Sequence, residues 1–136
     1  MPHIIVEYTP NLAEELDVDT LLDVLHETAL GLGVFPRRGT RTLAMPATAA
    51  RVGDRPDAGP DNGHVQIRLT IAPGRPEEVR GRIADELFAA AEKHLEPLAA
   101  RRPVGFQLTI TEFDPTVTRT GGSIADSPGH RPPLDA

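Results

Sequence analysis

Residues 3–10, HIIVEYTP, and residues 66–73, QIRLTIAP, are one kind of segment written twice, sixty-three positions apart. The shift lays Ile4 on Ile67, Val6 on Leu69, Tyr8 on Ile71 and Pro10 on Pro73. In the second copy Val65, Ile67, Leu69 and Ile71 alternate with Gln66, Arg68 and Thr70, the period-2 pattern of a half-buried strand. The first copy is richer in β-branched bulk and reads as a strand over His3–Thr9. Each copy ends at a proline, which removes a ladder donor and closes the strand.

The segments downstream of the two copies are similar as well. After the first, Asp17 or Asp19 can cap a helix running to about Leu30, with Val18, Leu21, Leu22, Leu25, Ala29 and Leu32 at the helical period and Gly31 and Gly33 as its stop. A short strand over Arg41–Met45 comes next, bounded by Pro46. After the second, Pro76 is placed to be the first helical residue, with Glu77 and Glu78 favoured by the helix dipole. That helix runs to about Leu98 on Val79, Ile83, Leu87, Ala90, Ala91, Leu95 and Leu98. A last strand, Gly105–Phe113, alternates Phe106, Leu108 and Ile110 with polar neighbours. The order is therefore two β-α-β units in tandem, an α+β fold. Right-handed crossovers place both helices on one face of a four-stranded sheet. The expected domain is 1–120, in halves of about 2–60 and 64–118, with 46–63 as a long surface loop and 121–136 as a flexible Gly/Pro-rich tail. Nothing in the chain is left to cover the second face of the sheet, and self-association is the expected solution.

Composition narrows the chemistry. The 136 residues carry a net charge of −6 and no basic, aromatic-laced stripe, which argues against nucleic acid as a partner. There is no Cys, so disulfides, thiol nucleophiles and thiolate metal sites are excluded. Serine occurs only at 123 and 127, and none of the five histidines stands in a metal-binding spacing. No basic leader or membrane-length apolar run is visible, so a cytoplasmic protein without membrane contact is expected. Of the fourteen basic residues only Lys93 is a lysine. Arginine suits bidentate gripping of carboxylates. Pro2, Arg41 and Arg75 each admit two readings from position alone: a plain strand start or a base at the chain's end, and a surface cation or a carboxylate grip.

Taken together, PHIIVEYTPNL at the start, FPRRGTRT in the middle and LTIAPGRPEEVRGRI after the second long strand resemble the 5-carboxymethyl-2-hydroxymuconate Δ-isomerase family of the tautomerase superfamily. The resemblance spans about 2–126, and the second half is also similar to a 4-oxalocrotonate tautomerase subunit. It implies a tautomerase fold, a homotrimer, no cofactor and no metal, and an enol di- or tricarboxylate as substrate. It also implies that Pro2 is the base after loss of Met1, with Arg41 and Arg75 catalytic and carboxylate-binding. An ordinary α-amino group, with a pKa of about 7.7–8.0, is roughly a tenth free base at pH 7, and an apolar site beside arginines raises that share. The position matching Arg75 in the first half is Leu12, and the second half has no chain start, so one active site per subunit is expected. Leu43, His64, Gln66 and Gly122–Ala125 depart from the family pattern and bear on the substrate. The alternatives are a phenylpyruvate-type tautomerase or a decarboxylase of the same superfamily, and a non-catalytic trimeric interaction module.

Overall fold

The computed structural model describes residues 1–125. In chain order the elements are β1 (His3–Tyr8), a 3₁₀ turn (Pro10–Leu12), α1 (Val18–Gly31), β2 (Arg41–Pro46), β3 (Gly63–Ile71), α2 (Glu77–Arg101) and β4 (Val104–Glu112). The sheet order is β2-β1-β3-β4. Within each half the two strands are parallel, and the halves meet through antiparallel β1 and β3. Ile5 lies opposite Arg68 in that central pair. These are also the two residues that the sixty-three-residue repeat equates, so an internal dyad passes between them.

Alternation along the strands sorts the two faces. Ile4 and Val6 of β1 and Val65, Ile67, Leu69 and Ile71 of β3 are buried on the helix side. Against them pack Leu21, Leu25 and Ala29 of α1 and Ile83, Leu87, Ala91, Leu95 and Leu98 of α2. Fully burying each Leu or Ile contributes about 1.5–3 kcal/mol, so this single layer supplies most of the favourable term. The opposite face carries Ile5, Leu43 and Met45 beside a paired Glu7–Arg68, and Leu43 is 52% and Met45 45% exposed.

Local chemistry sets the element ends. The cap of α1 is Asp17, whose carboxylate accepts from the Thr20 N–H at 3.1 Å and the Thr20 hydroxyl at 2.8 Å. Pro76 is the N-cap of α2 and not its first helical residue: its ψ of 156° is extended, and its carbonyl accepts the first helical bond from Arg80. The helix then continues through Pro97 to Arg101. Residues 47–62 carry no strand or helix and sit at the Tyr8–Asn11 end of β1, away from Pro2. Arg102 fastens that end by donating to the carbonyls of Asn11 (3.0 Å) and Asp61 (2.7 Å) and to Glu15 (3.1 Å). Residues 121–125, assigned to the tail on sequence, run along the cavities at the head of β1; 126–136 lie outside the described residues.

One glycine is fixed by packing. A Cβ on Gly63 would lie 2.4 Å from Cδ2 and 2.8 Å from Cγ of Leu12, itself fully buried. Gly63→Ala is expected to lower unfolding stability by about 1–3 kcal/mol, the usual cost of overpacking. In chemical denaturation the Gly63→Ala/Leu12→Ala double variant should lose clearly less than the two singles combined. Strict additivity would mean that the two residues do not collide.

Candidate active site

Pro2 is buried at the head of β1, and its carbonyl accepts from the Arg41 N–H at 3.0 Å, the bond that starts the β1–β2 ladder. In that register His3 lies opposite Arg41. The side chains continue the pairing: an Arg41 Nη1–H donates to His3 Nε2 at 2.6 Å. An arginine cannot accept a hydrogen bond, so His3 is held neutral with Nε2 as acceptor. Burial first, then the Arg41 guanidinium and the amine at the chain's start, lower the His3 pKa.

Just before β2 the chain makes a tight turn. The Gly39 N–H donates to the Pro36 carbonyl, the Thr40 N–H to the Arg37 carbonyl, and the buried Thr40 hydroxyl to the Pro36 carbonyl at 2.8 Å. The N-terminus packs directly on this turn: a Cβ at Gly39 would be 2.8 Å from the Met1 nitrogen and 3.0 Å from Pro36 Cγ. Only glycine lets the two backbones approach so closely.

Arg75 follows Gly74, whose φ of 111° turns the chain out of β3 toward α2. Its guanidinium does not reach out from the start of α2 as a lone cation. It donates to the carbonyls of Val34 (2.9 Å) and Ala72 (3.3 Å) and stacks 5.0 Å above the Phe35 ring. Those contacts lock it between the β3–α2 turn and the α1–β2 connection.

A cavity of about 300 Å³ opens where these pieces meet, lined by Met1, Pro36, Arg38, Gly39, Arg41 and the 120–124 segment. The amine at the chain's start is pushed below the ordinary α-amino range, mainly by burial and then by the charges of Arg41 and Arg75. That amine belongs to Met1 and stands one peptide unit from the Pro2 nitrogen. Arg41 lines that cavity and Pro2 does not; Pro2 is joined to it through Met1, its neighbour in the chain, which does. Arg75 acts on the amine through its charge and is not among the residues lining that cavity.

Several participants escaped the sequence reading. His3 looked like a strand residue, Gly39 had no assigned role, and Gly122 and Ile124 fell in the tail, although the family resemblance ties Gly122–Ala125 to the substrate. The only signal for His3 was its adjacency to Pro2; for 122–125 it was the family resemblance, since local periodicity there holds none. Among the described residues no three His, Asp or Glu side chains gather, and no helix is long and apolar enough to cross a membrane.

The second half repeats the scaffold with other residue types. The repeat equates Pro2 with Val65, His3 with Gln66 and Arg75 with Leu12, and the residue opposite Gln66 is Gln107 where the first half has Arg41. Val65 and Leu12 are fully buried apolar side chains, so the pseudo-equivalent corner is core.

Comparison with known proteins gives this geometry a family. The family model described as 5-carboxymethyl-2-hydroxymuconate isomerase matches residues 2–127. The chain belongs to the 5-carboxymethyl-2-hydroxymuconate isomerase family. Within that family it is similar to the Escherichia coli 5-carboxymethyl-2-hydroxymuconate Delta-isomerase, 30% identical over 117 residues, 86% of this chain and 90% of the relative. A crystal structure of a 5-carboxymethyl-2-hydroxymuconate isomerase from Deinococcus radiodurans R1 superposes with a TM-score of 0.81 at 31% identity, covering 90% of each chain. Native fused 4-OT shares the fold at a TM-score of 0.64 and 21% identity, over 90% of this chain and 94% of that one. As a member of this isomerase family the chain is an enzyme, which disfavours the non-catalytic module.

Proposed function

We propose that the mature chain begins at Pro2 and ketonises a 2-hydroxydienoate, 5-carboxymethyl-2-hydroxymuconate or a close analogue, by proton transfer through the Pro2 amine. Loss of Met1, which lines the cavity, turns the Pro2 nitrogen into a secondary amine. The neutral amine takes the proton of the 2-hydroxyl group. The enol oxygen becomes a ketone, the diene electrons shift along the chain, and the distal carbon takes the proton back from the prolinium. No atom is gained or lost. Arg41 holds a carboxylate and stabilises the negative charge that develops on the dienolate, and Arg75, bonded to the Val34 and Ala72 carbonyls, adds its positive charge to the site. His3 keeps the Arg41 guanidinium turned toward the site.

The observation that carries this reading is the depressed amine beside two arginines, at a cavity that no described carboxylate lines, inside a chain of net charge −6. Such a site favours a free-base nitrogen and an anionic ligand together. A homotrimer is part of the proposal, supported by the apolar Ile5, Leu43 and Met45 on the uncovered sheet face, and so is a cytoplasmic location.

Intact-mass measurement of the purified native protein should give a chain lacking Met1, and native mass spectrometry three chains per particle. The same preparation should convert the dienol acid to its conjugated ketone, followed as loss of dienol absorbance. An active protein that retains Met1 refutes the base assignment, and a monomer refutes the trimer.

A further inference from the structure

The last turn of α1 carries no basic residue, although a helix ends in unpaired carbonyls and a partial negative charge. Donors for that corner come from the other half of the chain. Arg82 Nη2 donates to the Leu32 carbonyl at 3.3 Å, and Arg75 Nη2 to the Val34 carbonyl at 2.9 Å. The other terminal nitrogen of Arg75, Nη1, donates to the Ala72 carbonyl at 3.3 Å, and the guanidinium carbon lies 5.0 Å from the centre of the Phe35 ring. Both arms of the guanidinium fork and one of its faces are therefore engaged by the protein itself.

What Arg75 grips leads straight to the chain's start. Buried Phe35 is followed by Pro36, whose carbonyl accepts from the Gly39 N–H at 3.2 Å and from the Thr40 hydroxyl at 2.8 Å. Gly39 is the residue against which the Met1 nitrogen packs, and Met1, Pro36 and Gly39 all line the main cavity. The two arginines differ in what they face. Arg41 lines all three cavities at the head of β1, and Arg75 is not among the described residues lining any of them.

We propose that Arg75 is a positioning residue and not a carboxylate ligand: it clamps Val34, Phe35 and Ala72, and thereby the turn at 36–40 that seats the chain's start. The grip on the substrate carboxylate belongs to Arg41. This rests on the ketonisation reading above and divides the work of its two arginines. A residue that fixes the place of the base without touching the substrate acts on the chemical step. Loss of Arg75 therefore appears in kcat, and KM stays near its wild-type value.

The test compares wild type with Arg75→Ala, Arg75→Lys, Phe35→Leu and Arg41→Ala. Arg75→Lys keeps the charge but lacks the planar fork and the stacking face, and Phe35→Leu keeps Arg75 while removing the ring beside it. Turnover of 5-carboxymethyl-2-hydroxymuconate should show kcat about tenfold lower in these three variants, with KM within roughly twofold of wild type. Calorimetric titration with the inert trans,trans-muconate should give wild-type affinity in the same three and a loss of about tenfold in Arg41→Ala. Amide hydrogen exchange at Gly39 and Thr40, whose N–H groups close the turn, should accelerate about tenfold in the three, with the Ile67 amide of β3 still protected. Arg75→Lys and Phe35→Leu are the milder pair and carry the same comparison if Arg75→Ala unfolds. The exchange measurement needs no turnover, so accelerated exchange in a protein inactive on dienol acids refutes the ketonisation reading and leaves the clamp standing. Muconate affinity lost in Arg75→Ala as fully as in Arg41→Ala makes Arg75 a ligand, and unchanged exchange at Gly39 and Thr40 means that it does not hold the turn. Either result overturns the proposal.

Discussion

Pro2→Leu, whose bulk keeps Met1 in place, is expected to lower kcat/KM for dienol ketonisation by about 10²–10⁴-fold, the usual contribution of a positioned general base. The variant leaves Arg41 and Arg75 in the chain but replaces the secondary amine with an amide, which has no basicity at neutral pH. Pro2→Ala still allows a terminal amine and should retain part of the rate. Its primary amine is no longer held by a ring that fixes φ, so orientation is lost while basicity is kept. Because Pro2 is buried, unfolding curves of both variants belong beside the kinetics. Wild-type turnover in both would end the base assignment.

The same group predicts the pH profile. Turnover needs the neutral amine, so kcat/KM should rise with pH and level off. The half-rise should lie below the ordinary α-amino range, because one peptide unit away burial and the charges of Arg41 and Arg75 already lower the pKa of the Met1 amine. Linkage carries the same sign. The folded chain binds fewer protons than the unfolded chain between the lowered and the ordinary pKa, so stability falls as pH drops through that window. Arg41→Ala removes one of the lowering charges and should move the half-rise upward.

Arg41→Ala is expected to cost about 10²–10³-fold in kcat/KM, the scale for losing one preorganised donor to a developing oxyanion. Lysine should restore little, since a point charge lacks the planar fork that grips a carboxylate while donating to His3. A second readout separates this from a general packing defect. In wild type burial and then Arg41 hold the His3 pKa below the usual histidine value. NMR titration of His3 should therefore show its pKa moving up in Arg41→Ala. An unchanged His3 titration together with near-normal turnover would mean that the 2.6 Å contact does no work in the site.

The architecture was legible because it rests on local, periodic signals. The alternation in 64–71, the helical spacing of Leu21, Leu25 and Ala29, and the Asp17 cap each report which face a residue buries, and burial is what drives the fold. The misread ends were those where two signals compete. Pro76 satisfies the φ of a first helical turn, but its extended ψ makes it the cap. The α2 helix, read to about Leu98, ends three residues later at Arg101.

By itself the sequence determined the tandem β-α-β order, the two-strand repeat, the aliphatic core and the family to which Pro2, Arg41 and Arg75 are to be compared. Only the tertiary structure decided which of these meet. Parallel pairing of β1 with β2 brings residues 2–3 against residue 41, and the turn at 36–40 seats the N-terminus on Gly39. Residues from the 120–124 segment line the same cavity. These are contacts between positions some forty to one hundred and twenty residues apart, and no local periodicity encodes them. Packing also filled the pseudo-equivalent corner. There the same backbone geometry carries Val65, Leu12 and Gln107 and buries the first two as core, whereas around Pro2 the fold lowers the pKa of an amine beside two guanidinium groups.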